Sequence, residues 1–144
     1  MDDLRQAAIR LLARREFSRA EIARRLASLG NPQEIEKVLA DLQASGLQSD
    51  TRFAGAWLRS HAARHGLGRM RQDLRQRGIA EADIEAELAS AGLAPELERA
   101  REVWTRKFGT PPADAREWAR QARFLQGRGF PTDVIRRLLR EPTE

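Results

Sequence analysis

Leu74-Arg75-Gln76-Arg77-Gly78-Ile79-Ala80-Glu81-Ala82-Asp83-Ile84-Glu85-Ala86-Glu87-Leu88 is the stretch on which the fold turns. A leucine stands four residues before a glycine, and two aliphatic residues follow it at helical spacing. The phrase recurs upstream as Leu26, Gly30, Ile35 and Val38–Leu39, and downstream as Leu125, Gly129, Ile135 and Leu138–Leu139. The marker glycines are 48 and 51 residues apart, a period that marks a repeat protein. Apolar residues three and four apart read as helix. A glycine behind such a stripe ends it in a left-handed turn. Repeats of this kind build extended binding surfaces rather than reactive pockets.

Working outward, each phrase closes a three-helix unit. In the first, Leu4, Ala8, Leu11 and Leu12 share a face. Ser18 and Glu21 have the spacing of a capping box. Ile22, Leu26 and Leu29 continue as a stripe that Gly30 closes in a left-handed turn. Asn31–Pro32 with Glu34 starts the next helix, lined by Ile35, Val38, Leu39 and Leu42 and ended by Gly46. The second unit sets Phe53, Ala54, Trp57 and Leu58, then Leu67, Met70 and Leu74, then Ile84 and Leu88 before Gly92. The third sets Leu97, Ala100, Trp104 and Phe108, a break at Thr110–Pro111–Pro112, then Trp118, Ala122 and Leu125, then Val134, Ile135, Leu138 and Leu139. The expected fold is all-α: about nine helices in three tandem three-helix units, 1–50, 51–93 and 94–144, stacked into an elongated, curved body. Units of ~45 residues are too small for robust cores of their own and should lean on one another.

There is no cysteine, so neither disulfides nor thiolate metal sites arise. No apolar run approaches the ~18 residues of a membrane span, and Met1–Asp2–Asp3–Leu4 does not read as a signal peptide. A cytoplasmic monomer is expected. Of the 26 basic residues 24 are arginine, Lys37 and Lys107 being the lysines. Codon bias and planar, bidentate anion contacts both account for that preference. Charge is zoned. Residues 1–51 carry eight bases and eight acids; 52–79 carry seven arginines and Asp73; 80–98 carry six acids and no base; 99–144 carry eleven bases and six acids. Two basic zones suggest an anionic partner.

Candidate chemistry is sparse. His61 and His65, four apart, have metal-binding spacing but no third ligand, and read better as two polar residues near a helix end. Glu81, Asp83, Glu85 and Glu87 lack a glycine-centred calcium loop and read as a solvated face. No phosphate loop or nucleophile elbow occurs. Neither enzyme activity, cofactor nor metal is expected. The aromatics sit on or beside apolar stripes and read as core rather than base-stacking platforms. The arginines say more. With Trp118 as reference, Arg116, Arg120 and Arg123 fall within about 20–40° of the opposite pole of one helix at ~100° per residue. They form a single-sign stripe with only Glu117 nearby. Arg71 and Arg75 stack similarly, flanked by Arg69 and Arg77, and Arg136, Arg137 and Arg140 make a third cluster. These ten arginines are the candidate partner contacts.

Two functional classes fit. Ser18–Arg19–Ala20–Glu21–Ile22 looks like the start of a helix-turn-helix, which would make the chain a DNA reader. Against it, the third helix of the first unit carries Glu34, Glu36 and Asp41 against Lys37, and that of the second carries four acids and no base; phosphates repel both. The other class is a regulator that docks along a polymer. Asp50–Thr51–Arg52–Phe53–Ala54 with Trp57–Leu58 resembles the Asp-x-x-Phe-Ala pattern of the RecX family, which regulates the RecA recombinase. Gly66 to Ile79 (GLGRMRQDLRQRGI) resembles that family's most distinctive block, with Leu67 where Pro is usual, Met70 where Ile or Val is usual, and Arg64 where Gly is common. Lys107–Phe108–Gly109 and Arg123–Phe124–Leu125–Gln126–Gly127–Arg128–Gly129–Phe130 resemble its third repeat. The resemblance spans roughly residues 7–141. It implies a negative regulator that binds the RecA filament on single-stranded DNA along its groove. It further implies limits on filament extension, ATP hydrolysis, strand exchange and SOS co-protease activity. Binding to naked DNA is expected to be weak and indifferent to sequence.

Overall fold

Helical signals dominate the sequence, and helices are what the described residues form. The computed structural model describes residues 2–140, in which nine α-helices follow one another without a strand: α1 Asp2–Leu12, α2 Arg19–Leu26, α3 Pro32–Ala44, α4 Asp50–His61, α5 Leu67–Gln76, α6 Glu81–Ser90, α7 Glu96–Lys107, α8 Ala115–Gly127 and α9 Thr132–Leu139. Local chemistry sets their ends. Ser18 Oγ accepts from the Glu21 amide at 3.1 Å while the Glu21 carboxylate accepts from the Ser18 amide at 3.0 Å. Asn31 and Glu34 repeat that reciprocal cap, with Pro32 opening α3. Asp114 caps α8 by accepting from the Glu117 amide at 2.8 Å. Each cap satisfies amides that the first helical turn leaves without a partner.

The chain divides into two units, and the division runs through α4 and α5: one unit holds the residues up to Trp57 with Leu74–Ser90, the other Leu58–Asp73 with the residues from Ala91 onward. In the first, α1, α2 and α3 pack on one another around Leu4, Phe17, Ile22, Leu26, Val38, Leu39 and Leu42. Asp50, the acid of the Asp-x-x-Phe-Ala pattern, accepts from the Arg19 amide at 2.8 Å and from buried Gln48 at 2.9 Å, so the start of α4 holds the start of α2. Gly78 has φ +83, and a Cβ there would lie 2.5 Å from the Ala20 Cβ. Conformation and crowding both demand glycine at that turn. In the second unit α7, α8 and α9 pack around Ala100, Val103, Leu125, Phe130, Val134, Ile135 and Leu139.

Three expectations need correction. Leu29 is not part of the α2 stripe: the helix ends at Leu26, the Leu29 amide turns back to the Leu26 carbonyl at 2.8 Å, and the side chain is 61% exposed. Gly30 is not among the glycines with positive φ; its place is fixed by space, since a Cβ would fall 2.7 Å from Leu4 Cδ1. Trp57 and Trp118 are half-buried rather than fully enclosed.

Candidate partner-binding surface

Eight of the ten candidate arginines fall into two electrostatic sets. Arg116, Arg120 and Arg123 stand exposed on α8, away from its buried residues Gln121 and Leu125. Arg136 and Arg137 are exposed on α9, and Arg140 follows it. On and after α5, Arg69 and Arg75 are exposed while Arg71 and Arg77 are half-buried. Arg69 and Arg71 belong to the second unit, Arg75 and Arg77 to the first.

The expected single-sign stripe on α8 is corrected at its middle. Glu117 grips Arg120 as a fork, Nε to Oε2 at 3.0 Å and Nη2 to Oε1 at 2.9 Å. Gln121 adds a bond to the same carboxylate at 3.1 Å. These hydrogen bonds, Arg120's first, hold the Glu117 carboxyl down at about 2. Spacing of three residues puts the pair on one face, where opposite charges attract. Arg75 is likewise bound by Glu81, which raises its pKa further. Arg69 lies 3.9 Å from Asp73. Arg77 lies 3.9 Å from Glu21 and rests 3.9 Å above the Trp57 ring. Among the described residues, Arg116, Arg123, Arg136 and Arg137 meet no carboxylate. A charge held by an acid at its side presents a dipole to a distant anion; an uncompensated one presents a full charge.

A buried cation organises the second unit, and sequence reasoning missed it. Arg99, 7% exposed, donates from Nη1 to the carbonyls of Ala62 (3.0 Å) and His65 (2.9 Å), and from Nε to that of Ala94 (3.2 Å). Burial lowers its pKa, and Glu96 at 3.8 Å opposes that shift. The Glu96 carboxylate also accepts from the Leu67 amide at 2.7 Å, capping α5. The turn between α4 and α5 is thus clamped from the start of α7. Its other side touches the α8–α9 turn. The Gly66 amide donates to the Arg128 carbonyl at 2.7 Å. Gly129 has φ +95, and a Cβ there would lie 2.6 Å from the Arg69 amide nitrogen. Glycine lets the two backbones meet and sets Arg69 beside Arg128.

His61 ends α4 and His65 lies in the turn beyond it, their ring centroids 5.7 Å apart. No group of three or more potential metal ligands occurs among the described residues. His65 is buried with its Nδ1 unbonded, and its pKa falls to about 4, first from burial and then from Arg69, His61 and Arg128. It is neutral at physiological pH. No described helix is long and apolar enough to cross a membrane.

Comparison with known proteins gives this architecture a family. Three-helix domain models of RecX match in order: the first over residues 5–42, the second over 49–88 and the third over 94–139. A regulatory protein RecX of Leptothrix cholodnii is 51% identical over 138 residues, covering 95% of this chain and 87% of that one. One of Chromobacterium violaceum is 45% identical, covering 94% and 88%. The crystal structure of RecX from Lactobacillus salivarius superposes with a TM-score of 0.78 over 95% of this chain and 92% of that one; at 19% identity it speaks for the fold alone. By its three successive domain matches and its close relatives, the chain belongs to the RecX family of regulatory proteins.

Proposed function

We propose that this chain restrains RecA. It binds the RecA filament on single-stranded DNA along its groove and limits filament extension. ATP hydrolysis, strand exchange and SOS co-protease activity fall with it. The observation that carries this reading is family membership along the whole helical chain, in three successive matches. Charge supports it: Arg116, Arg123, Arg136 and Arg137 are exposed cations whose natural partners are carboxylates or phosphates. Arg69, Arg71, Arg75, Arg77, Arg120 and Arg140 complete the proposed contact set, four of them by exchanging a carboxylate of this chain for one of the filament. The three units 1–50, 51–93 and 94–144 are the proposed functional modules. Contact is through binding surfaces, with no chemistry performed by the chain.

A RecA ATPase assay on single-stranded DNA tests this. Added well below the RecA concentration, the protein should make the rate decay as filaments lose subunits faster than they add them. An unchanged rate at a one-to-one ratio would contradict the proposal.

A further inference from the structure

A groove in the second unit carries cations outside the ten. Its rim is Arg64 after α4, Arg106 and Lys107 at the end of α7, and Arg128 after α8; its floor includes Val103 and Phe124. The volume is about 240 Å³, the size of one or two side chains. No acidic residue lines it. Among the described residues none of the four cations pairs with a carboxylate. Arg64 donates to the Ser60 carbonyl, and Arg106 to those of Glu102 and Ala63. Lys107 and Arg128 sit 5.4 and 5.0 Å from the Phe124 ring centroid. The walls are built rather than incidental: Arg99 holds the turn that carries Arg64, and Gly66 bonds the Arg128 carbonyl. Four like charges so close repel one another in the unbound chain, and an anion relieves that repulsion.

We propose that this groove docks an acidic segment of a partner protein, carboxylates on its rim and one apolar side chain on Val103 and Phe124. The inference deepens the reading of the chain as a protein-binding regulator and rests on it. Two observations favour a peptide over a nucleic acid strand. Arg106 also borders a neighbouring depression where Glu98 and Glu102 stand beside Arg101, so phosphates continuing past the groove would leave an all-cationic lining and meet carboxylates. Phe124, crowded by Lys107, Arg128 and the edge of Phe108 at 5.4 Å, offers a base a poor stacking face. A segment that alternates acidic and apolar side chains matches both the rim and the floor.

The test titrates the full chain, by fluorescence anisotropy, into a labelled nonapeptide of aspartate and glutamate around one phenylalanine. A labelled nine-residue oligothymidylate runs in parallel. Arg64→Glu with Lys107→Glu should weaken peptide binding about tenfold or more. Arg10→Glu with Arg14→Glu, the same change of charge on exposed residues at and just after the end of α1, should alter it less than about threefold. Arg64→Gln with Lys107→Gln, milder in charge, should show the same ranking if reversal disturbs folding. Equal losses in the two pairs, or no peptide binding by the unaltered protein, would overturn the proposal. So would oligothymidylate binding more tightly than the peptide and depending on Arg64 and Lys107, which would assign the groove to nucleic acid. The ATPase assay on the same proteins separates the two claims. An unaltered chain that leaves RecA untouched, yet holds the peptide through Arg64 and Lys107, overturns the function and keeps the groove.

Discussion

The two units have opposite electrostatic characters. The first, residues 1–57 with 74–90, holds 11 basic against 12 acidic residues, a net charge of −1; the second, 58–73 with 91–144, holds 15 against 9, a net of +6. Pairing sharpens the contrast. In the first unit carboxylates lie within ion-pair reach of Arg15, Arg19, Arg52, Arg75 and Arg77. In the second, cations cluster without acids around the groove of Arg64, Arg106, Lys107 and Arg128, and recur at Arg116, Arg123, Arg136 and Arg137. Zones of basic sequence are therefore a poor guide to available charge. Residues 52–79, the most basic stretch, distribute their arginines between both units, and several meet acids there. What a partner meets is the charge left over after internal pairing.

The largest effect is expected where a cation of the second unit is structural. Arg99→Ala should destabilise the protein by about 3 kcal/mol, because the carbonyls of Ala62 and His65 lose a charged donor inside the protein. Urea denaturation checks this, and a loss under about 1 kcal/mol would mean that the clamp is dispensable. Its counterpart in the first unit is Trp57→Ala. Half-buried beneath Arg77, Trp57 should cost about 2–3 kcal/mol, toward the lower end of large-to-small changes. A fully enclosed tryptophan would cost more.

Acid should affect the second unit through His65, which belongs to it. His65 has a folded pKa of about 4 against an ordinary 6.5. Between those values the unfolded chain binds a proton that the folded one refuses, so stability is full above pH ~6.5 and falls as pH drops toward 4. A loss of up to about 3 kcal/mol across that window is expected. Urea melts at several pH values, compared with His65→Leu, should show the slope shrinking in the variant. An identical slope would place the acid response elsewhere. The smallest effect is expected from Glu117→Gln: the urea midpoint should stay essentially unchanged, as for exposed pairs generally. Because it releases Arg120, inhibition of RecA should strengthen up to about twofold and grow more salt-sensitive. Weaker inhibition would show that the Glu117–Arg120 pair itself is the contact.

Much of the fold was legible because its causes are local. Ser18 with Glu21, Asn31 with Glu34, and the glycines at 78 and 129 act over three to five residues, within reach of a spacing argument. Leu29 misled because a stripe shows which residues share a face and not where the last helical turn lies. The candidate surface was legible only as a list of arginines. What sorts them is distance across the fold: Arg52 finds Glu16 36 residues away, and Arg99 finds Ala62 37 residues away. Within its own helix Arg99 looks like any surface arginine. The groove cations come from three separate segments that only the clamped turns bring together.

The most direct test compares available with compensated charge in one assay. RecA ATPase on single-stranded DNA is titrated with the protein, with Arg116→Ala/Arg123→Ala, and with Arg19→Ala/Arg52→Ala, which removes equal charge from arginines held by Glu36 and Glu16. The account predicts that the first pair needs about tenfold more protein for half-inhibition while the second stays within about threefold of the unaltered chain. Equal losses, or a greater loss from the paired arginines, would contradict it.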